Sequence, residues 1–307
     1  MDKSAVTLER MRSFVRVAER GSFSAVARER GVGQSTVTRH VTELEAALGI
    51  TLLNRTTRRV TLTAEGARYR DQAGTILRLV DEAVDDARSA GAHLRGTIRV
   101  SCTAALGVQH VAKALFAFQD RHPSVTIDLG LSDVRIDLVR EAVDIAIRLG
   151  PLADSTMQRK AIGHSHRILA ASRVYLDRHG RPQMPDDLLY HQAIRMSNVD
   201  GSDTLSLHHP GEGSISLPFD GRLLIDHGLA AREALIQGRG IVPAHLWLID
   251  DLLESGVLEQ VLPDYAPEPV PLSILFVPGR ARIARVRALI DVLGDALTGL
   301  PGMALSG

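Results

Sequence analysis

Between Gly21 and Gly49 the chain reads GSFSAVARERGVGQSTVTRHVTELEAALG. Gln34, Ser35, Thr36, Thr38 and Arg39 fall within this stretch, with Ser22 upstream of them and Arg55, Arg58 and Arg59 just downstream. These side chains suit one chemistry, the reading of a polyanion. Gln can pair with an adenine edge through two hydrogen bonds and Arg with a guanine edge, each worth about 1–3 kcal/mol of discrimination. Ser and Thr hydroxyls, and the free N–H groups at a helix start, suit phosphate oxygens. The plainer reading is a solvated helix face, and for Ser35 or Thr36 taken alone it is preferred.

Other chemistries find less support. Cys102 is the only cysteine, so there is no intrachain disulfide and no cysteine-based zinc site. A thiol sensor would need a second sulfur, and a buried strand cysteine is the simpler expectation. His164 and His166 alternate in GHSHR, and His208 and His209 sit in LHHP, but no carboxylate or cysteine completes a metal site. No metal and no cofactor are expected. There is no nucleophile elbow, phosphate-binding glycine loop or Rossmann glycine run, and no enzyme activity is expected.

Charge is distributed unevenly. The 36 basic and 36 acidic residues cancel overall, yet residues 1–63 hold 11 bases against 6 acids, a net of +5, which leaves −5 for the rest. A basic head on an acidic body fits a nucleic-acid module joined to something else; chance variation on solvated surfaces is the alternative. Screening over about 8 Å near physiological salt lets the local charge count for more than the total. The N-terminal stretch carries acids and no apolar run, so it does not read as a signal peptide, and no run of about 18 apolar residues marks a membrane span. A cytoplasmic protein without membrane contact is expected.

Three short helices must position the polar side chains. Leu8, Met11, Phe14, Val15 and Ala18 form one amphipathic stripe that Gly21 ends. Ser22 can cap a second helix, with Phe23, Val26 and Ala27 inward, which stops at Gly31. A third runs from near Gln34 to Leu48 on a Val37, Val41, Leu44, Leu48 stripe, and the pair make a helix-turn-helix. Ile50–Leu53 and Val60–Thr63 read as a two-stranded wing around a basic turn, in which Arg55, Arg58 and Arg59 grip phosphate or enter the minor groove. Thr63 then opens a long helix. Its Ala73, Leu77, Val80, Val84 and Ala87, widened by Tyr69, Ile76 and Ala83, have coiled-coil spacing that predicts a dimer seam, packing within the chain being the alternative. Glu43 and Glu45 read as solvated or dimer-side residues.

Beyond a hinge at Ser89–Gly96 the texture becomes alternating. TIRVSCT, a helix over Ala105–Phe118, VTIDLGLS, a helix in RIDLVREAV and DIAIRLG make a β-α-β-α-β run with a parallel sheet. RILAAS, a helix at Val174–His179, AIRMS, TLSLHH, SISL, GRLLID, a helix over Gly228–Gln237, LSILFVP and a helix over Ile283–Leu297 follow.

The string MRSFVRVAERGSFSAVARERGVGQSTVTRHVTELEAALGITLLNRTTRRVTLTAEG, Met11 to Gly66, resembles the LysR-type transcriptional regulators. LSDVRIDLVREAVDIAIRLGPLADSTM and LEQVLPDYAP resemble that family's ligand-sensing half, and only Ser197–Phe219 matches weakly. Gly33 and Ser35 stand where the family commonly has Ser and Pro, and Arg30 where an apolar residue is usual, so its stem should pack while its head reaches outward.

The resemblance implies an α+β multidomain fold: an N-terminal winged helix-turn-helix over 1–63, a long dimerisation linker helix over 64–94, and a two-lobed α/β effector domain like periplasmic binding proteins over 95–307. Lobe I would hold about 95–163 and 270–307, and lobe II 164–269. Ligands in such sheets bind at the carboxyl ends of strands. That choice of strand ends, resting partly on the resemblance, nominates Thr103, Ala104, Ser132, Arg148, Gly150, Ser197, His227 and Gly228 as effector contacts. Free N–H groups at the helix starting near Ala104 would favour an anion such as a carboxylate, and the scarcity of aromatics speaks against a large flat ring. The expected protein is a transcriptional regulator controlled by a small-molecule co-inducer. Its partners would be double-stranded promoter DNA, its own copies as homodimer or homotetramer, and RNA polymerase. A solute-binding or sensor protein that does not read DNA is the rival.

Overall fold

The computed structural model describes residues 6–55, 60–88, 94–133, 143–151, 157–211 and 213–305. These form two compact units, 6–88 and 94–305.

The first unit holds α1 (Leu8–Arg20), α2 (Phe23–Arg30), α3 (Gln34–Leu48), β1 (Leu53–Arg55), β2 (Val60–Leu62) and α4 (Ala64–Arg88). Local chemistry explains the boundaries. Thr7 caps α1 by accepting from Arg10 N, and Ser22 caps α2 by accepting from Ala25 N. Gly21, Gly31 and Gly49 end the three helices in the left-handed conformation. Phe14, Val17, Val26, Val37, Val41, Leu44 and Leu52 are fully buried and form the core between α1, α2, α3 and the wing.

The wing begins three residues later than its β-prone sequence suggests. Ile50 N bonds back to Glu45 O, and the Glu45 carboxylate accepts from Leu52 N (2.8 Å) and Leu53 N (3.1 Å). Residues 50–52 are therefore spent turning the chain out of α3, and Glu45 is a backbone anchor rather than a solvated or dimer-side acid. β1 and β2 pair antiparallel, Leu53 with Leu62 and Arg55 with Val60. The basic turn, with Arg58 and Arg59, lies outside the described residues, and of Arg55 only the backbone is described. Thr63 Oγ1 accepts from Gly66 N at 2.8 Å, so Thr63 does open α4. A Cβ on Gly66 would lie 2.0 Å from Leu52 O, so no side chain fits where α4 crosses the start of the wing.

The seam on α4 divides between two uses. Ala73 and Leu77 are buried in the chain's own head core, with Tyr69 packed against it and tilted on Phe14 at 5.7 Å. Ile76, Leu79 and Val84 are exposed, Leu79 at 50%. The intrachain alternative therefore holds for the first part of the stripe, and the apolar face left outward is Ile76, Leu79, Ala83 and Val84. Among the described residues no helix is long and apolar enough to cross a membrane.

The second unit is two lobes. β3 (Gly96–Cys102) leads into α5 (Ala104–Leu106), a π turn at Gly107–Val111 and α6 (Ala112–Arg121), then β4 (Val125–Leu131), β5 (Ile145–Leu149) and β6 (Gln158–Ser165). The chain crosses at His166 into β7 (Arg167–Ser172), α7 (Arg173–His179), a 3-10 turn at Pro185–Tyr190, β8 (Ile194–Met196), β9 (Thr204–His209), β10 (Gly213–Pro218) and β11 (Leu223–Ile225). α8 (Gly228–Ile236), β12 (Val242–His245), α9 (Leu246–Glu254), β13 (Leu258–Val261) and β14 (Ala266–Pro267) complete that lobe. β15 (Val270–Phe276), a 3-10 turn at Arg280–Arg282, α10 (Ala284–Thr298) and β16 (Met303–Ala304) return to the first.

The larger sheet runs β16-β6-β15-β5-β3-β4. β4, β3 and β5 are parallel, as the alternating sequence requires, while β15, β6 and β16 join antiparallel. Ile98, Val100, Ile145, Ile147, Leu272 and Ile274 from its strands meet Leu115 and Phe118 of α6 and Leu289 and Leu293 of α10. The second lobe is built on β12-β7-β13, with β8 and β11 parallel beside it. The helix expected in RIDLVREAV lies outside the described residues.

Candidate functional site

The head presents its polar residues unequally. Gln34, Ser35 and Arg39 are exposed on α3, and Thr36 and Thr38 are half-buried. Gly33 holds the N-cap position without a side-chain bond, and Thr38 Oγ1 donates to Gln34 O at 3.0 Å. Thr38 is thereby partly committed to its own helix. Ser22 is committed as the α2 cap and lies 3.1 Å from Ser24 Oγ.

The arginines separate into two kinds. On α1, Arg10 pairs with Glu43, Arg12 with Asp81, and Arg16 with Glu19 and Glu29; Arg20 also reaches Glu29. The Arg16 hydrogen bond holds the Glu29 carboxyl below the usual carboxylate range. Arg39 makes no ion pair among the described residues, so its full charge faces outward beside Gln34 and Ser35.

Beneath α3 lies a polar relay that sequence patterning does not reveal. Ser13 is fully buried on α1; Arg30 Nη1 donates to its Oγ, and His40 Nδ1 lies 2.9 Å from the same oxygen. The guanidinium can only donate, so the Ser13 oxygen accepts from Arg30 and shares a second hydrogen bond with His40 Nδ1. The Arg30 head is shared: Nη1 turns inward to Ser13, and Nη2 lies 3.9 Å from the exposed Glu9 carboxylate, as an outward-reaching head would. An open cavity of about 330 Å³ lies along this edge, lined by Thr7, Glu9, Arg10, Arg39, His40 and Glu43.

In the second unit the strand ends gather several of the expected contacts. Thr103 follows β3, Ser132 N bonds Cys102 O at 2.9 Å, and Arg148 on β5 donates through Nη2 to Ser101 Oγ at 2.7 Å and through Nη1 to Ile147 O at 3.0 Å. Burial lowers the Arg148 pKa, and the neighbouring Cys102 and Asp133 act against that. His227, at the start of α8, reaches across from the second lobe to 3.8 Å from Asp133 Oδ2. A Cβ on Gly228 would come within 2.9 Å of Ala105 Cβ, so the lobes touch closely at that glycine. Ser197 N donates to Ile225 O, and Gly150 N to Pro271 O.

One expectation is corrected. Ala104 N is not free for an anion, because Asp133 Oδ1 accepts from it at 3.0 Å. Asp133, one residue past Ser132, was not singled out in the sequence although it follows a nominated strand end. Its Oδ2, Thr103 Oγ1 and Gln109 Oε1 are buried atoms with no hydrogen-bond partner. Cys102 is fully buried and burial pushes its thiol up to about 12, which keeps it protonated and inert. Among the described residues no His, Cys, Asp and Glu group could hold a metal ion.

Where the chain crosses between lobes, a second relay joins buried Ser165 and Trp247 to His245. Trp247 Nε1 donates to Ser165 Oγ at 2.9 Å, and Ser165 Oγ lies 2.8 Å from His245 Nδ1. Trp247 stacks on His245 and meets His110 of the first lobe edge-on at 5.8 Å, while His110 Nε2 lies 2.9 Å from Trp247 O. Burial, then the charge of Arg167, takes the His245 pKa down to about 3, so its ring is neutral.

Known proteins share this layout. The family profile described as "Bacterial regulatory helix-turn-helix protein, lysR family" matches residues 8–67, and "LysR substrate binding domain" matches residues 91–298. The HTH-type transcriptional regulator DmlR of Escherichia coli (strain K12) is 33% identical over 287 residues, covering 93% of each chain. The structure of CrgA, a LysR-type transcriptional regulator from Neisseria meningitidis, superposes with a TM-score of 0.62 at 29% identity, over 96% of this chain and 99% of that one. The full-length Vibrio cholerae virulence activator AphB gives 0.63 at 27% identity, over 94% and 99%.

Proposed function

As this chain belongs to the LysR family of transcriptional regulators, we propose that it reads promoter DNA through α3 and its wing and answers to a small molecule held in the interlobe cleft. The observation that carries the DNA reading is Arg39. The neighbouring arginines of α1 are neutralised by acids, whereas Arg39 has no ion pair among the described residues and stands on the polar face of the recognition helix, among Gln34, Ser35, Thr36 and Thr38. A recognition helix lies in the major groove with its N-terminal residues at the base edges. Arg39 and Gln34 are the base readers, and Ser22, Ser35 and the wing residues Arg55, Arg58 and Arg59 hold phosphates.

The effector contacts are Thr103, Ser132, Arg148, His227 and Gly228, with Gly150 and Ser197 at the cleft margin. The outward face of α4, Ile76, Leu79, Ala83 and Val84, is the dimer seam, and pairs of dimers would make the tetramer. Effector binding shifts the equilibrium between two assemblies on DNA by its differential affinity for them. The protein works in the cytoplasm beside RNA polymerase, catalyses no reaction and needs no cofactor beyond its co-inducer. The test is capture of sheared genomic DNA, followed by footprinting across a salt series. Protected half-sites one helical turn or a multiple apart support the reading; uniformly weak, salt-sensitive binding at no preferred site overturns it.

A further inference from the structure

We propose that the interlobe cleft takes a small carboxylate bearing a hydroxyl or amino group on the adjacent carbon, Asp133 receiving that donor and Arg148 the carboxylate. This rests on the cleft being the effector site.

Asp133 has one oxygen in use and one waiting. Oδ1 is fixed by Ala104 N, while Oδ2 is buried without a donor, His227 Nε2 at 3.8 Å being beyond hydrogen-bond length. A buried carboxylate oxygen left unpaired is costly. Donors must therefore come from whatever fills the cleft. A hydroxyl or ammonium placed between Asp133 and His227 would also join the two lobes.

Arg148 makes the complementary demand. Its guanidinium donates to Ser101 and Ile147 and pairs with no carboxylate among the described residues, which leaves N–H groups unspent. A plain carboxylate would satisfy Arg148 and leave Asp133 unpaired beside a like charge. A plain amine would do the reverse. One molecule carrying both groups meets both needs. Ser132 N bonds Cys102 O and Arg148 bonds the neighbouring Ser101, so Asp133 and Arg148 flank the same end of β3.

The experiment is calorimetric titration of the full chain with two matched series: propionate, lactate, alanine and pyruvate; then glutarate, 2-hydroxyglutarate, glutamate and 2-oxoglutarate. The hydroxy or amino member of one series is expected to bind about tenfold or more tighter than its plain and oxo partners. Asp133→Asn keeps an oxygen for Ala104 N but turns the open acceptor into an N–H donor, so the oxo member should overtake the hydroxy and amino members. Arg148→Gln should weaken all carboxylates together. The proposal fails if the plain or oxo member binds wild type tightest, if Asp133→Asn leaves the ranking unchanged, or if no member of either series binds. Footprinting the same preparation separates the two readings. Specific protection with a wrong ligand ranking sinks only the ligand class, and a correct ranking without any protected site sinks the regulator.

Discussion

The two units spend their polar residues in opposite ways. In the head, acids and arginines meet at the surface, as in Arg16–Glu29 and Arg20–Glu29, and the informative residue is Arg39, a cation of the recognition helix with no ion pair among the described residues. In the second unit the decisive groups are enclosed: Asp144 with Arg280, Ser165 with His245 and Trp247, Asp133 with Ala104 N. Surface pairs contribute little to stability but set which charges a partner meets, whereas enclosed groups cost much to disturb and fix where the lobes stand. A regulator needs both, one set to be read by DNA and one to transmit a ligand.

The contrast is broken most severely at Asp144. Its Oδ1 faces Arg280 Nε at 3.3 Å and its Oδ2 accepts Arg99 N at 2.8 Å, with both side chains almost wholly buried. Asp144→Ala should cost about 3–5 kcal/mol in urea unfolding of the second unit, by removing the carboxylate from beside the buried Arg280 charge and from Arg99 N. A loss no larger than that of a surface pair would erase the distinction.

Next is His245. Its folded pKa of about 3 lies below its ordinary 6.5, so the unfolded chain binds the proton more readily. Stability from this site is therefore complete above about pH 6.5 and falls as pH drops towards 3, by at most about 1.4 kcal/mol per unit. His245→Gln should flatten that part of the acid-stability curve relative to wild type. Parallel curves would show that the ring is not kept neutral by the fold.

Smaller effects test the head. Arg39→Ala should lose about 1–3 kcal/mol of preference at one base position while leaving stability nearly unchanged, read by competition footprinting. If every site weakens equally, Arg39 holds phosphate instead. Smallest is Glu29→Gln, which releases Arg20 and leaves Arg16 held by Glu19 alone. Melting should barely move, but non-specific DNA affinity should rise and its salt dependence steepen. An unchanged salt slope would mean that those arginines face away from DNA.

The helices of the head were readable because each carries its own start, stripe and stop. Ser22, Gly21, Gly31 and the Val37–Val41–Leu44 stripe are local signals, and they coincide with the observed ends. The parallel β4-β3-β5 core was legible for the same reason. The division of the α4 seam was not, because Ala73 and Ile76 look equivalent until α1 covers one of them. Nor was β6, where His164 of GHSHR runs along a strand between β15 and β16 while His166 lies past its end, at the crossing to β7. The enclosed relays were invisible in principle: Ser165 and His245 are 80 residues apart, and each is an ordinary residue until the chain brings them together. Asp133 had a weak signal, its place after a strand end, but the free helix start expected there was already occupied by it.

Trp247 is the only tryptophan in the chain, and it stands where the lobes meet. Its indole is tethered to the crossing strand through Ser165, stacked on a neutral imidazole, and edge-on to a ring of the opposite lobe. Any rotation about the crossing must change the surroundings of that one chromophore. The molecule thus contains its own optical gauge, in which ultraviolet emission from a single site would follow lobe closure in real time without any label.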